Sequence, residues 1–393
     1  METSLKNVLL DAFWIMPATP KYKNQGLPYI TSKNIKNRRI DFNDVKYIDE
    51  ADYDVISRNR PILENDILIS MIGTLGEVAV VKKEDGRFYG QNMYLIRLDE
   101  SKVSQKYFLN WVESDAVKRA ILQQKNKSTQ SYLKAEHVEG LSIKLLSVDE
   151  QNRIADIFER INQLTENRKQ QLQKLDELVK ARFVEMFGDP MGNPMEWERV
   201  NISNVVSGKV SNGFFAKRDD YCDDGNVKVL GVTNIVNRMY SEIDDLPKTN
   251  GTEMDIAKYG VKYGDMLFCR SSLVAEGIGK ASVVPKGVNN NILFECHVIR
   301  LPLNLQKCVP EFMQVLSTTK YFREQVVSQA KTATMTTIGQ DGILKTDIVL
   351  PPLDLQLQFL QLIEQIYKSK LHVQKSLDKL EILKKALMQK YFG

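Results

Sequence analysis

At 393 residues the chain is long enough for two or three domains, and its 43% hydrophobic and 26% charged residues are those of an ordinary globular protein. No apolar run nears the ~20 residues that span a bilayer. Cys222, Cys269, Cys296 and Cys308 form no CxxC pair, which argues against a disulfide scaffold and a zinc site. The net charge of +4 permits nucleic-acid binding without requiring it. No signal peptide is visible in METSLKNVLLDAF, the chain reads as complete, and reduced thiols point to the cytoplasm.

Residues 1–146 read as a mixed α/β globule. The short runs LPYIT, DILISMI, EVAVV and MYLIRL alternate with turn signals at Gly26, Gly73, Gly76 and Asp85-Gly86. One helix is expected over Tyr107–Gln124, then a polar stretch and a last strand, LSIKLL. A long helix follows at 147–188. Ser147 and Glu150 form a capping box at its start, and Gly188 with Pro190 stops it. A second globule occupies 189–350, and a second long helix, opened by Pro351-Pro352 and Asp354, fills 351–393.

The two helices are copies. Sliding the sequence by 205 positions superposes 149–188 on 354–393 without a gap and with 12 identities in 40 positions, among them Gln151 with Gln356 and Phe187-Gly188 with Phe392-Gly393. Apolar spacing is heptad-like: Ile154, Ile157, Ile161 and Leu164, then, past a phase shift near Arg168 and Gln171, Leu172, Leu175, Val179 and Met186. The second copy offers Phe359, Leu362, Ile366, Val373, Leu377, Leu380, Leu383 and Leu387. Ile154, Ile161, Leu172, Leu175, Phe359, Ile366, Leu377 and Leu380 are the expected packing residues. Helices of this length, about 60 Å at 1.5 Å per residue, must pack along their whole extent, and each is the obvious partner of the other. The globules repeat more faintly: PYITSKNI with KVLGVTNI, NDILIS with GDMLFCR (Asp66 on Asp265), GEVAVV with GKASVV, and MYLIRL with HVIRL (Arg97 on Arg300).

Catalytic sets are missing. His137, His297 and His372 are far apart, and no HExxH, GxSxG, Walker A or NPPY-type motif occurs. Gly279-Lys280 resembles the end of a phosphate loop, but Val274 stands at the first glycine and Ala281 replaces the Ser/Thr. The chain is expected to bind rather than catalyse, with no metal site.

The stretches ATPKYKNQGLPYITSKNI at 18–35, FGDPMGNPMEWERV at 187–200 and PPLDLQ at 351–356, set in a globule–helix–globule–helix plan, resemble the specificity subunits of type I restriction-modification systems. Leu146-Ser147 departs from the double proline expected in the first copy, and Leu355 from a frequent Glu. The resemblance implies an α+β fold: two mixed α/β target recognition domains in a pseudo-two-fold arrangement, separated by two long helices packed as an antiparallel coiled coil. It implies that each globule would read half of a bipartite site in double-stranded DNA. The helices would set the spacer and dock two methyltransferase subunits. S-adenosylmethionine and ATP would belong to those partners and to restriction/translocase subunits, with no cofactor in this chain.

Candidate DNA contacts fall in loops. Lys33, Asn34, Lys36, Asn37, Arg38 and Arg39 follow a strand in the first globule, and Thr233, Asn234, Asn237 and Arg238 hold the equivalent place in the second. Arg and Asn suit bidentate base contacts and Lys suits phosphates. Ser70 and Thr74 are matched with Arg270, Ser271 and Ser272, and Lys125 and Lys127 with Lys331. Lys217 and Arg218 complete the set. Two other readings remain open at this point: a coiled-coil adaptor holding two protein-binding domains, and the specificity part of a single-chain methyltransferase-nuclease.

Overall fold

The computed structural model describes residues 2–125, 132–289, 291–332 and 335–393. The chain divides into two compact units, Met1–Lys169 with Lys375–Gly393, and Gln170–Gln374. The division falls inside both long helices, so each unit owns one globule and part of each helix.

In the first unit an antiparallel sheet has the spatial order Leu9–Ile15, Met93–Leu98, Ile67–Ser70, Val78–Val80. The central run ILIS is buried at every position, because successive side chains enter different cores. Ile67 and Ile69 face the helices, while Leu68 faces a second sheet made of Lys46–Ile48, Leu27–Thr31 and Tyr89–Gln91. The second unit repeats this. Its strands run Ser211–Asn212, Val298–Pro302, Asp265–Cys269, Ala281–Val283, with Met266 and Phe268 on one face and Leu267 and Cys269 on the other.

The helix expected over 107–124 is two helices, Gln105–Val112 and Asp115–Lys125. Ser114 ends the first turn series and starts the next, its hydroxyl accepting from Val117 N at 3.3 Å. Thr319, 205 residues on, does the same between Pro310–Thr318 and Lys320–Ser328, accepting from Phe322 N at 3.4 Å.

Strand register corrects one alignment. Asp66 and Asp265 are true equivalents, each accepting an amide three residues upstream, from Leu63 (2.7 Å) and Lys262 (3.0 Å). Ile96 pairs with Ile67, and Leu301 with Met266, so Arg97 corresponds to Pro302 and Arg300 to Leu95. Arg97 binds Asp66 through two nitrogens at 2.8 and 2.9 Å. Arg300, at a place the first unit fills with a buried leucine, donates to Gly260 O at 2.8 Å and lies over the Phe294 ring. Pairing across the sheet fixes the register, and the shared letters IRL do not.

The long helices span Val148–Phe187 and Leu353–Phe392, 40 residues each. The first accepts Glu150 N on the Ser147 hydroxyl at 3.3 Å. It ends at Gly188 (φ 75°), where the Trp197 indole N–H donates to Phe187 O at 2.9 Å. In the first unit Phe158 packs on Phe392 (ring centres 5.8 Å apart) and Lys384 donates to Asn162 at 2.7 Å. In the second unit Lys370 meets Asp176 at 2.6 Å and Phe183 packs on Phe359 (5.8 Å). Within each unit the partner number falls as the first-helix number rises, so the pairing is antiparallel.

The expected phase shift is absent. The inward positions of the first helix are Ile154, Phe158, Ile161, Thr165, Arg168, Leu172, Leu175 and Val179, an unbroken alternation of four- and three-residue steps. Ile157 and Leu164, expected in the seam, are 39% and 43% exposed. The break was an artefact of counting only apolar letters: Thr165 and Arg168 occupy seam positions as polar residues. Among the expected packing residues Ile154, Ile161, Phe359, Ile366 and Leu377 are buried, and Leu172, Leu175 and Leu380 are half-buried. Lys370 and Lys384 are polar members of the second helix's seam, and burial holds the Lys384 ammonium below the ordinary lysine pKa.

A buried glutamine locks each helix start to its own globule. Gln151 accepts from Ser104 N (2.9 Å) and donates to Lys102 O (2.8 Å) and Leu146 O (3.0 Å). Gln356 accepts from Val309 N (2.9 Å) and donates to Lys307 O (3.2 Å) and Pro351 O (2.8 Å). All three partners are displaced by the same 205 residues. The helix ends repeat as well: Phe392 packs on Tyr107 at 5.1 Å, and Phe187 on Phe312 at 4.8 Å.

Candidate nucleic-acid interface

In each unit the buried central strand runs out into a loop that returns to the sheet at a left-handed glycine. Met71 to Leu75 form this loop in the first unit, between Ser70 and Gly76 (φ 78°). Arg270 to Ile278 form it in the second, between Cys269 and Gly279 (φ 62°). The bonds match: Gly76 N donates to Ser70 O (3.0 Å), and Gly279 N to Cys269 O (2.7 Å). A Cβ on Gly76 would lie 2.8 Å from Ile121, and one on Gly279 2.2 Å from Val326, again a pair 205 apart.

Other segments join this edge. Met71 N donates to Asn92 O and Arg270 N to His297 O; Leu133 N donates to Met71 O and Ile338 N to Arg270 O. In the first unit the Ser32 hydroxyl also reaches Asn92 O, bringing in the 32–39 loop. In the second unit Ser271 and Ser272 pair with Thr337 and Thr336, which pair in turn with Lys331 and Thr332. The Ser271 hydroxyl and His297 Nδ1 lie 3.2 Å apart, and the Arg270 guanidinium donates to Cys296 O at 3.2 Å. The backbone frame is common to both units, while the side chains on it differ: Asn92 against His297, Met71 against Arg270.

Arg270, Ser271, Ser272 and Lys331 are therefore brought together, as their grouping in sequence suggests. The pairing of Ser70 with Arg270 is one residue out, because Ser70 stands opposite Cys269. Ser70 is fully buried; its hydroxyl bonds Thr74 O and accepts from Glu77 N, so it holds the loop shut and faces no ligand. Thr74 is exposed at the loop tip.

The 33–39 and 233–238 stretches are equivalent, as expected, with Asn37 and Asn237 both left-handed (φ 51° and 59°). Their members do different work. Asn34 is buried and accepts from Thr31 N at 2.9 Å, and Asn234 accepts from Gly231 N at 3.0 Å, so both shape the turn instead of presenting base-reading amides. Arg38 is committed to Glu113 through two nitrogens at 2.7 Å each and to Asn110 at 2.9 Å. Arg238 pairs with Glu242 at 2.6 Å, and Asn237 accepts from Lys280 at 2.9 Å. Lys33 and Lys36 pair with Asp44 (2.7 Å) and Asp41 (3.6 Å) on the surface, where such pairs exchange readily for a phosphate. Arg39, Thr233, Lys217 and Arg218 are exposed. Lys125 is the last residue of its helix, and Lys127 lies outside the described residues. His297, Thr336 and Thr337 were missed; only their contacts with the loop mark them.

Residues 15–177 match the type I restriction modification DNA specificity domain. Over this stretch the chain is similar to the type I restriction-modification specificity family. Its similarity extends over most of its length: it is 20% identical to the type I restriction enzyme EcoKI specificity subunit of Escherichia coli (strain K12), over 88% of this chain and 76% of that one. It is 22% identical to the StySPI specificity subunit of Salmonella potsdam, over 87% and 75%. The fold matches the S subunit of a type I restriction-modification system from M. genitalium over 100% of this chain and 96% of that one, with a TM-score of 0.58 at 13% identity. A structure described for complex assembly and conformational transition of the type I R-M system gives 0.60 at 15% identity, covering 100% and 97%. The matched residues take in the first edge loop and the first-unit part of the seam, and the internal repeat carries the same plan into 189–393.

Proposed function

We propose that the chain is the DNA-recognition subunit of a type I restriction-modification complex, each globule reading one half of a bipartite double-stranded site. The observation that carries this is the repeated edge: one backbone frame, held by equivalent bonds in both units, bearing different polar and basic side chains. Two readers built alike but dressed differently suit two half-sites of different sequence. The long helices set the unread spacer and dock two methyltransferase subunits, with restriction/translocase subunits completing the assembly in the cytoplasm. S-adenosylmethionine and ATP chemistry belongs to those partners, and this chain contributes recognition without catalysis.

The test is methylome sequencing of cells expressing the chain with its methyltransferase. A bipartite adenine-methylated motif with a fixed gap is expected, and exchanging residues 189–350 for those of another family member changes one half only. Loss of both halves on that exchange, or no bipartite motif, refutes the reading. Binding by the assembled complex should fall steeply with salt, which a protein-binding adaptor would not show.

A further inference from the structure

The second unit departs from the first most visibly at its edge loop. Between equivalent anchors the first unit has five residues, Met71 to Leu75, and the second has nine, Arg270 to Ile278. The longer loop is held at several points. Ser271 and Ser272 pair with Thr337 and Thr336, Val274 N donates to the Ser272 hydroxyl at 3.3 Å, Gly277 N to Val274 O at 3.1 Å, and Arg323 to Glu276 O at 3.0 Å. A Cβ on Gly277 would sit 2.1 Å from the Ser272 hydroxyl, so the turn closes tightly. On this fixed turn Leu273 is 84% exposed and Val274 59% exposed. The fold makes no use of either side chain.

Around them the edge carries Arg270, Ser272, His297 and Lys331, with one exposed carboxylate, Glu276, on the same turn. An apolar tip set among hydrogen-bonding groups and cations matches one nucleic-acid feature closely. In the major groove the thymine 5-methyl lies beside the O4 acceptor, the only apolar group on an otherwise polar base edge. We infer that Leu273 and Val274 read thymine methyl groups in the half-site taken by the second unit, with Arg270 and Lys331 holding the flanking phosphates. This rests on the recognition reading above and adds to it the chemistry of one contact. The first unit's shorter loop carries only Ile72 at 39% exposure, so the methyl dependence belongs to one half of the site.

The experiment uses the assembled methylating complex on its own bipartite DNA, with each thymine of both half-sites replaced in turn by deoxyuridine, which lacks only the methyl. For the native chain, one or two replacements in the second unit's half should slow methylation about fourfold, the factor that corresponds to ~0.8 kcal/mol for one buried methyl(ene). Leu273→Ala and Val274→Ala, on an exposed turn that the core does not need, should abolish this difference and leave the other half unaffected. The inference is overturned if no thymine differs from uracil, if the variants keep the discrimination, or if that half-site has no thymine on either strand. Weakened assembly with the methyltransferase in Leu273→Ala, with thymine discrimination intact, would assign the tip to a protein partner and overturn it too. A complex that methylates no bipartite site at all refutes the recognition reading itself, and this inference falls with it.

Discussion

Replacing Gln356 by leucine removes a side chain of similar size whose three polar contacts all lie inside the second unit. Gln356 is fully buried, and its bonds to Val309 N (2.9 Å) and Pro351 O (2.8 Å) are buried as well. Each backbone group left without a partner costs about 1–3 kcal/mol, because water does not reach it. Two such groups give about 2–6 kcal/mol, and the gain from burying leucine offsets part of this, leaving about 3 kcal/mol. For a unit of this size that corresponds to a fall of about 6–12 °C in the melting midpoint. Scanning calorimetry of native chain and variant measures it. Gln356→Glu provides the sign check: it keeps the acceptor for Val309 N but cannot donate to two carbonyls and buries a charge, so it should fall at least as far. A shift below about 2 °C in Gln356→Leu would refute the claim that this amide joins helix and globule.

Two further outcomes follow from the same geometry. Gly279→Ala should lose more than about 2 kcal/mol in urea unfolding, since the left-handed backbone alone costs roughly 1–2 kcal/mol and the new Cβ meets Val326 at 2.2 Å; Val326→Ala in the same chain should recover the steric share and not the backbone share. Glu311, fully buried between the Tyr240 and Tyr263 hydroxyls with Lys286 and Glu364 nearby, is pushed by burial above the ordinary glutamate value of 4.5. The folded state then holds a proton that the unfolded state has released, so this group's contribution is complete below about 4.5 and is lost as pH rises through the raised value. Glu311→Gln should flatten that fall in a melting-midpoint series across acid to neutral pH, and an unchanged difference between variant and native at every pH would count against it.

The repeat was legible because helix packing preserves spacing, and a constant shift of 205 shows without any structure. The seam was misread for a physical reason. Ile157 and Leu164 are apolar and at helical spacing, yet they face outward, while Thr165 and Arg168 face inward; letter type alone cannot separate an outward isoleucine from an inward threonine. Gln151 and Gln356 stood out as an identity, but three bonds to residues 5 to 49 positions away in sequence cannot be read from a chain. The edge loops were found from turn-forming residues, whereas Ser70, Asn34 and Arg38 were misjudged because a polar residue in a loop reads alike whether it serves the turn or a ligand. His297 carried no sequence signal.

The changing shift between the two copies locates where the protein has been free to vary. Asn34 and Asn234 differ by 200, Asp66 and Asp265 by 199, Gly76 and Gly279 by 203, and Asn92 and His297 by 205. From Asn92 onward the difference stays at 205 through Ser114, Ile121 and Gln151 to Phe187. Every inserted residue therefore lies ahead of the paired helices, in the sheet loops and the exposed edge. The part without insertions holds the long helices to their globules through buried amides and stacked aromatic rings, where one extra residue would turn every side chain by about 100° around the helix axis and break the three-bond lock. A loop whose ends are fixed by strand pairing can lengthen at little cost in chain entropy. New side chains can thus be built at the edge while the frame is left in register, as the proposed two-headed reader requires.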